Sequence, residues 1–145
     1  VTHPEIISEV FSADTLCMVA APGHPLAANR TVTLADAASC PLLLREPGSA
    51  GREIVESLFL SGGIQITPVW ESVSTLALIR AAQNGLGIAI LPELLVRDAL
   101  KSGDLVSLPL PPDILTRNLY LIRHRNKYLS SSAEEFLNLC RMWKF

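Results

Sequence analysis

Aromatic side chains are scarce in this 145-residue chain, only 6% of the total, and cysteine and histidine number three each. No apolar run approaches the roughly 20 residues that cross a bilayer, and no signal-peptide pattern opens the chain. A helical membrane anchor is therefore not expected here, and a cytoplasmic setting is the simplest expectation. Basic residues are not in excess: 12 Lys and Arg stand against 14 Asp and Glu, for a net charge of -2 and a pI near 5.9. That balance argues against a surface devoted to nucleic acid, because phosphate recognition needs clustered cations. Cys17, Cys40 and Cys140 are odd in number, far apart and set in apolar segments. They are expected to be buried free thiols rather than a disulfide framework.

Chemistry-bearing motifs are missing as well. His3, His24 and His124 are isolated, and no cysteine stands at metal-ligand spacing from another. Neither a Gly-x-Ser-x-Gly elbow nor a phosphate-loop lysine motif occurs. Ser49 has no base near it in sequence. No catalytic residue, metal ligand or cofactor is expected.

What is present is a chain that should fold: 49% of residues are hydrophobic and 18% charged, at the modal size of one globular domain. Two stretches read as strand, turn, helix. Pro41 to Leu44 is a buried strand that passes through Arg45-Glu46-Pro47-Gly48-Ser49 into a helix to Leu60. There Ile54, Val55, Leu58 and Phe59 share a face and Gly62-Gly63 ends it. Ile66 to Trp70 is a second strand, its Pro68 indicating an edge or a strand beginning, followed by a helix capped at Ser74 with Leu76, Ile79 and Ala82 inward and Gly85 as its stop. Such turns deliver free backbone N–H groups to a ligand.

Around them, Thr15 to Ala21 reads as a strand, and Thr33 to Ala38 as a short helix with a Thr33–Asp36 capping box. Leu86 to Leu91 is a buried strand closed by Pro92, Glu93 to Lys101 a helix ended by Gly103, and Leu105 to Leu108 a strand. Pro109 to Asp113, with three prolines, is the clearest linker. Asn118 to Arg123 returns as a strand. The last helix carries a Ser131–Glu134 capping box and turns Phe136, Leu137 and Cys140 inward. Alternating strands and helices make the class α/β, with a largely parallel sheet.

Four motifs in register resemble the effector-binding domain of LysR-type transcriptional regulators across about residues 12 to 140. They are His24-Pro25-Leu26-Ala27, Arg45-Glu46-Pro47-Gly48-Ser49, the run from Asn84 to Pro92, and Gly103-Asp104-Leu105-Val106. The resemblance implies a type II periplasmic-binding-protein-like fold with the second lobe complete and the first partial. Residues 1–19 would be the end of the first lobe and a crossing strand, 20–113 the second lobe, and 114–145 the return strand and C-terminal helix. Crossing strands near Thr15 to Ala21 and Leu115 to Leu121 would join the lobes, with a small effector in the cleft between them. An N-terminal winged helix-turn-helix would bind DNA from outside this chain, and the chain would be cut from a longer protein that forms homodimers or homotetramers.

By the same resemblance, ligand contacts gather on Glu46, Pro47, Gly48, Ser49, Ala50 and Arg52. Ser72, Ser74 and Thr75 open the next helix towards the same cleft, and Pro92 shapes it. The helix dipole and Arg52 would favour an anion there, whereas Glu46 would repel one unless it turns outward or pairs with Arg45 or Arg52. The effector's charge stays open at this point. For Ser49, Ser72, Ser74 and Thr75 capping alone is the competing account, and for Arg52 a solvent-exposed position. A solute-binding protein of a transport system and a pure dimerisation module are the competing functions.

Overall fold

Three consecutive leucines set the architecture. Leu42, Leu43 and Leu44 are all buried, which in a strand requires a packed layer on each face of the sheet. The computed structural model describes residues 3–110 and 116–143. Its elements are β1 (Ile6–Ala20), α1 (Leu34–Ala38), β2 (Leu42–Arg45), α2 (Ala50–Ser61), β3 (Trp70–Ser72), α3 (Thr75–Gln83), β4 (Ile88–Pro92), α4 (Glu93–Ser102), β5 (Val106–Ser107), β6 (Thr116–His124) and α5 (Ser131–Met142). The strands form one six-stranded sheet in the order β3-β2-β4-β1-β5, with β6 also paired to β1.

Two compact units divide the chain, Thr15–Thr116 and a smaller one from residues 1–14 and 117–145. In the larger unit the period-2 alternation of strands sorts side chains between two cores. Leu42, Leu44, Ile88, Ile90 and Met18 meet Val55 and Phe59 of α2 and Ala37 of α1 on one face. Leu43, Ala89, Leu91 and Val19 meet Leu78, Ile79, Ala81 and Ala82 of α3 and Val96 of α4 on the other. In the smaller unit Arg141 of α5 holds Glu9 of β1 through two bonds of 2.7 and 2.8 Å.

Local capping follows the sequence closely in three places. Thr33 and Asp36 form the reciprocal capping box, Ser49 caps α2, and Gly103 ends α4 in the left-handed conformation. Elsewhere the structure corrects the expectation. The sheet is mixed, because β1 runs antiparallel to both β4 and β5 while β2 is parallel to β3 and β4. β1 begins at Ile6, nine residues before Thr15, its start obscured by Ser8, Ser12 and Asp14. β3 begins at Trp70 rather than Ile66: Pro68 has no N–H, and the chain meets the sheet only where Val69 N–H donates to the Leu42 carbonyl.

Leu76 is 63% exposed, because at about 100° per residue it falls opposite the stripe of Leu78, Ile79, Ala81 and Ala82. Leu86 is exposed too, and β4 starts at Ile88. β5 contracts to Val106–Ser107 between buried Leu105 and Leu108. Ser130, not Ser131, caps α5 by accepting from Ala133 N–H, and Phe136 is exposed while Leu137 and Cys140 are half-buried. None of the three cysteines is in a disulfide, and all are half-buried rather than buried. Pro111 to Leu115, which hold most of the expected linker and the start of the return strand, lie outside the described residues.

One close approach is sensitive to a single methyl group. Ile88 N–H donates to the Pro41 carbonyl at 2.8 Å, and a Cβ added at Gly87 would run into that same carbonyl. Gly87→Ala should therefore cost about 1–3 kcal/mol, the usual range for overpacking a tight site. Urea denaturation monitored by circular dichroism checks it; an unchanged midpoint would contradict the expectation.

Candidate functional site

Because β2 and β3 are parallel and paired in the register Arg45 opposite Ser72, the chain leaves both strands at one edge of the sheet. From β2 it enters a turn in which Ser49 N–H donates to the Glu46 carbonyl at 3.3 Å. Pro47 and Gly48 fill its central positions, and Gly48 has φ +84°, the pattern of a type II turn that only glycine adopts cheaply. Ser49 Oγ then accepts from Arg52 N–H at 3.2 Å and the Ser49 carbonyl from Glu53 N–H. The N–H groups of Ala50 and Gly51 are left without an intrahelical acceptor.

The second turn repeats this arrangement. Ser72 Oγ accepts from Ser74 N–H at 3.1 Å, and Ser74 Oγ from Ala77 N–H at 3.3 Å. Thr75 and Leu76 begin α3 with no intrahelical acceptor for their N–H groups. Pro92 ends β4 and stands as the N-cap of α4 without a side-chain hydrogen bond. β4 is parallel to β2, so α4 begins at the same edge.

Two arginines divide the electrostatics of this edge. Arg52 is 5% exposed. Its Nε donates to Glu56 Oε1 at 2.7 Å, and its Nη1 donates to the Arg45 carbonyl and to Glu71 Oε1, each at 2.9 Å. A buried guanidinium held this way ties the first turn of α2 to the end of β2 and to the neighbouring strand β3. Arg45 is half-buried instead. Its Nε and Nη2 grip the Glu46 carboxylate at 2.8 and 2.9 Å, and its Nη1 donates to Thr75 Oγ1 at 3.3 Å, joining the two turns. The Arg45 bond holds the Glu46 carboxyl below its ordinary value.

The residues singled out from sequence thus fall into one place: Glu46, Pro47, Gly48, Ser49, Ala50 and Arg52 on the first turn, Ser72, Ser74 and Thr75 on the second, and Pro92 at the end of β4. Ser49 and Ser74 act as caps, Ser72 closes its own turn, and Arg52 is committed to Glu56, Glu71 and a backbone carbonyl. The sequence reading overlooked the Arg45–Thr75 link and Glu71. The alternation of β2, which sets Arg45 on the face of Leu43, was the signal available for the first. His24 lies outside this edge: its Nδ1 accepts from Leu26 N–H, burial lowers its pKa, and it caps a short 3-10 turn. Among the described residues no group of three His, Cys, Asp or Glu is placed to hold a metal ion, and no helix is long and apolar enough to cross a membrane.

The LysR substrate binding domain family model matches residues 1–144. The chain belongs to this family. It is 40% identical over 136 residues to the uncharacterized HTH-type transcriptional regulator YeiE of Escherichia coli K12, covering 94% of this chain and 46% of that protein. A LysR-family domain thus spans less than half the length of that relative. Among solved structures, the regulatory domain of Synechocystis PCC6803 CcmR in complex with 2-PG superposes with a TM-score of 0.84 at 24% identity, covering 97% of this chain and 70% of that one. The effector-binding domain of QuiR in complex with shikimate gives 0.81 at 24%, covering 96% and 65%. These likenesses establish the type II periplasmic-binding-protein-like fold of LysR regulatory domains.

Two outcomes are expected from the pairings. Arg52→Met should destabilise the chain by about 1–3 kcal/mol, because it leaves the Arg45 carbonyl without this donor and removes the bonds to Glu56 and Glu71; denaturant titration reads this directly, and a wild-type midpoint would mean that the network contributes nothing. The Glu46 pKa is depressed on folding, so its contribution is complete above the ordinary carboxylate range and is lost as pH falls through the lowered value. The melting temperatures of wild type and Glu46→Gln should accordingly converge on acidification, and a gap independent of pH would argue against the ionic pairing.

Proposed function

We propose that this domain is the ligand-sensing part of a LysR-type DNA-binding transcriptional regulator, and that its effector is held against the two turns at the ends of β2 and β3. The observation that carries this reading is the pairing of two helix N-termini, each with uncapped N–H groups, fastened side by side by Arg45 and Thr75. Such a surface offers fixed donors and the positive ends of two helix dipoles to an acceptor-rich small molecule. The ligand complexes of CcmR with 2-PG and QuiR with shikimate support it.

On this reading Ser49 and Thr75 supply hydroxyls, Ala50 and Gly51 supply backbone donors, Gly48 keeps the approach open and Pro92 shapes the surface. Arg52 acts indirectly, by holding the turn in place. No chemistry is done on the effector. The unit Thr15–Thr116 corresponds to the second lobe and the remaining residues to part of the first. Effector binding biases an equilibrium between arrangements of a homodimer or homotetramer, and the change reaches DNA through a separate DNA-binding domain in the cytoplasm.

A thermal-shift screen of small carboxylates, sulfate, phosphate, sugar phosphates and amino acids tests the reading. A ligand at about 100 times its dissociation constant adds roughly 2.7 kcal/mol, a clear rise in melting temperature. Ala50→Pro then locates the contact. Proline is accepted at the first helical position, and Ser49 already has the extended backbone that a residue before proline requires, with φ -75° and ψ 139°. The variant should keep its unliganded melting temperature and lose most of the ligand-induced rise. An undiminished rise would place the effector elsewhere.

A further inference from the structure

We infer that Arg45 selects an effector carrying a carboxylate, and that the Glu46 carboxylate is the internal group such a ligand displaces. The inference rests on the effector reading above and assigns its ligand class. Three features of the pair carry it. First, β2 alternates, so Arg45 lies on the face of Leu43, towards α3, and its Nη1 reaches the Thr75 hydroxyl at 3.3 Å. Its guanidinium is thereby placed beside the open N–H groups of Thr75 and Leu76. Thr75 Oγ1 accepts from Arg45 and so keeps its own proton to donate.

Second, Glu46 is held side-on through both oxygens, Oε2 on Nε at 2.8 Å and Oε1 on Nη2 at 2.9 Å. This is the two-point match between a planar fork and a carboxylate that an effector carboxylate would reproduce, and that a neutral hydroxyl or amide would not. Third, the two arginines differ in how free they are to exchange partners. The Arg52 side chain is 6% exposed and committed to fixed groups, whereas the Arg45 and Glu46 side chains are 30% and 32% exposed. An ion pair between two partly exposed side chains contributes little to stability, so opening it costs little.

Charge balance then gives the selectivity its direction. With the pair closed, Arg45 and Glu46 cancel and the edge offers an anion no net attraction from them. An incoming carboxylate takes over both guanidinium bonds while Glu46 swings into water, where an ionised carboxylate is well solvated. A neutral polar molecule gains only the backbone donors, because it has nothing with which to displace Glu46. Glu46 thus acts as a competitor that screens out weak anions and leaves the site to ligands making the guanidinium bonds and the N–H bonds together.

Isothermal titration of this chain with shikimate, malate and citrate, and with shikimate methyl ester as the neutral comparator, tests the assignment. The variants are Glu46→Gln, Arg45→Gln and Arg45→Lys, each first checked for a single cooperative melting transition. Glu46→Gln should bind at least one carboxylate about tenfold more tightly, the scale of one charge-assisted bond released from competition, with the ester unaffected. Arg45→Gln should lose the preference for acid over ester, and Arg45→Lys should restore it only in part, since it keeps the charge without the fork. Carboxylate binding that is the same in wild type, Glu46→Gln and Arg45→Gln would overturn the role of the pair and leave the effector reading standing. If no carboxylate binds any variant the inference falls, and the effector reading falls with it only when the whole thermal-shift screen is silent as well.

Discussion

Burial of β2 on both faces is the constraint from which the rest of this domain follows. A strand whose successive side chains enter two different cores leaves no room for loops on either face, so every turn is driven to an end of the sheet. Since β2, β3 and β4 run the same way, the three turns that follow them gather at one end, and each opens a helix. The candidate surface is a by-product of that packing. Leu42, Leu43 and Leu44 do not touch it, yet they decide where Glu46, Ser72 and Pro92 must lie.

Two arginines seven residues apart, one ending β2 and one in the first turn of α2, have different surroundings, and burial separates them. Arg52 is the only charged or polar residue among the buried set of described residues, and a buried guanidinium persists only when its donors are answered. Glu56, Glu71 and a carbonyl answer them, which makes the turn stiff. Arg45 stays near water and is matched by its chain neighbour. On the reading proposed above, a rigid clamp and an exchangeable pair would stand side by side and give the surface fixed backbone donors and one charge that can change partners.

Much of this was legible in the sequence, for physical reasons that differ by element. The Glu46 to Ser49 turn was visible because Pro-Gly admits few conformations, and α2 because its cap, its periodicity and its glycine stop agree. The antiparallel placement of β1 was not, since strand direction depends on pairing partners that no local pattern encodes. The role of Arg52 was hidden likewise: an arginine in the first turn of an amphipathic helix reads as solvated, and its partner Glu71 lies 19 residues on, on a strand whose start Pro68 obscured. The Arg45–Thr75 link spans 30 residues and exists only through the register of two strands. Leu76 illustrates a phase error: Ile79 and Ala82 belong to both the expected and the observed stripe, and the spacing groups Leu76 with them although it lies on the opposite face.

Within the unit Thr15–Thr116 the sheet also ends abruptly on each side. β3, at one margin of the main strand order, has three residues and is preceded by Pro68, and β5, at the other, has two. So short a row of unpaired backbone groups is a poor template for a strand from another molecule. At these two margins any contact between copies of this domain is therefore steered towards side-chain surfaces, which can slide and rotate, and away from a shared continuous sheet, which would lock them in register. The sensing mechanism proposed above would need a joint of that kind, free to move.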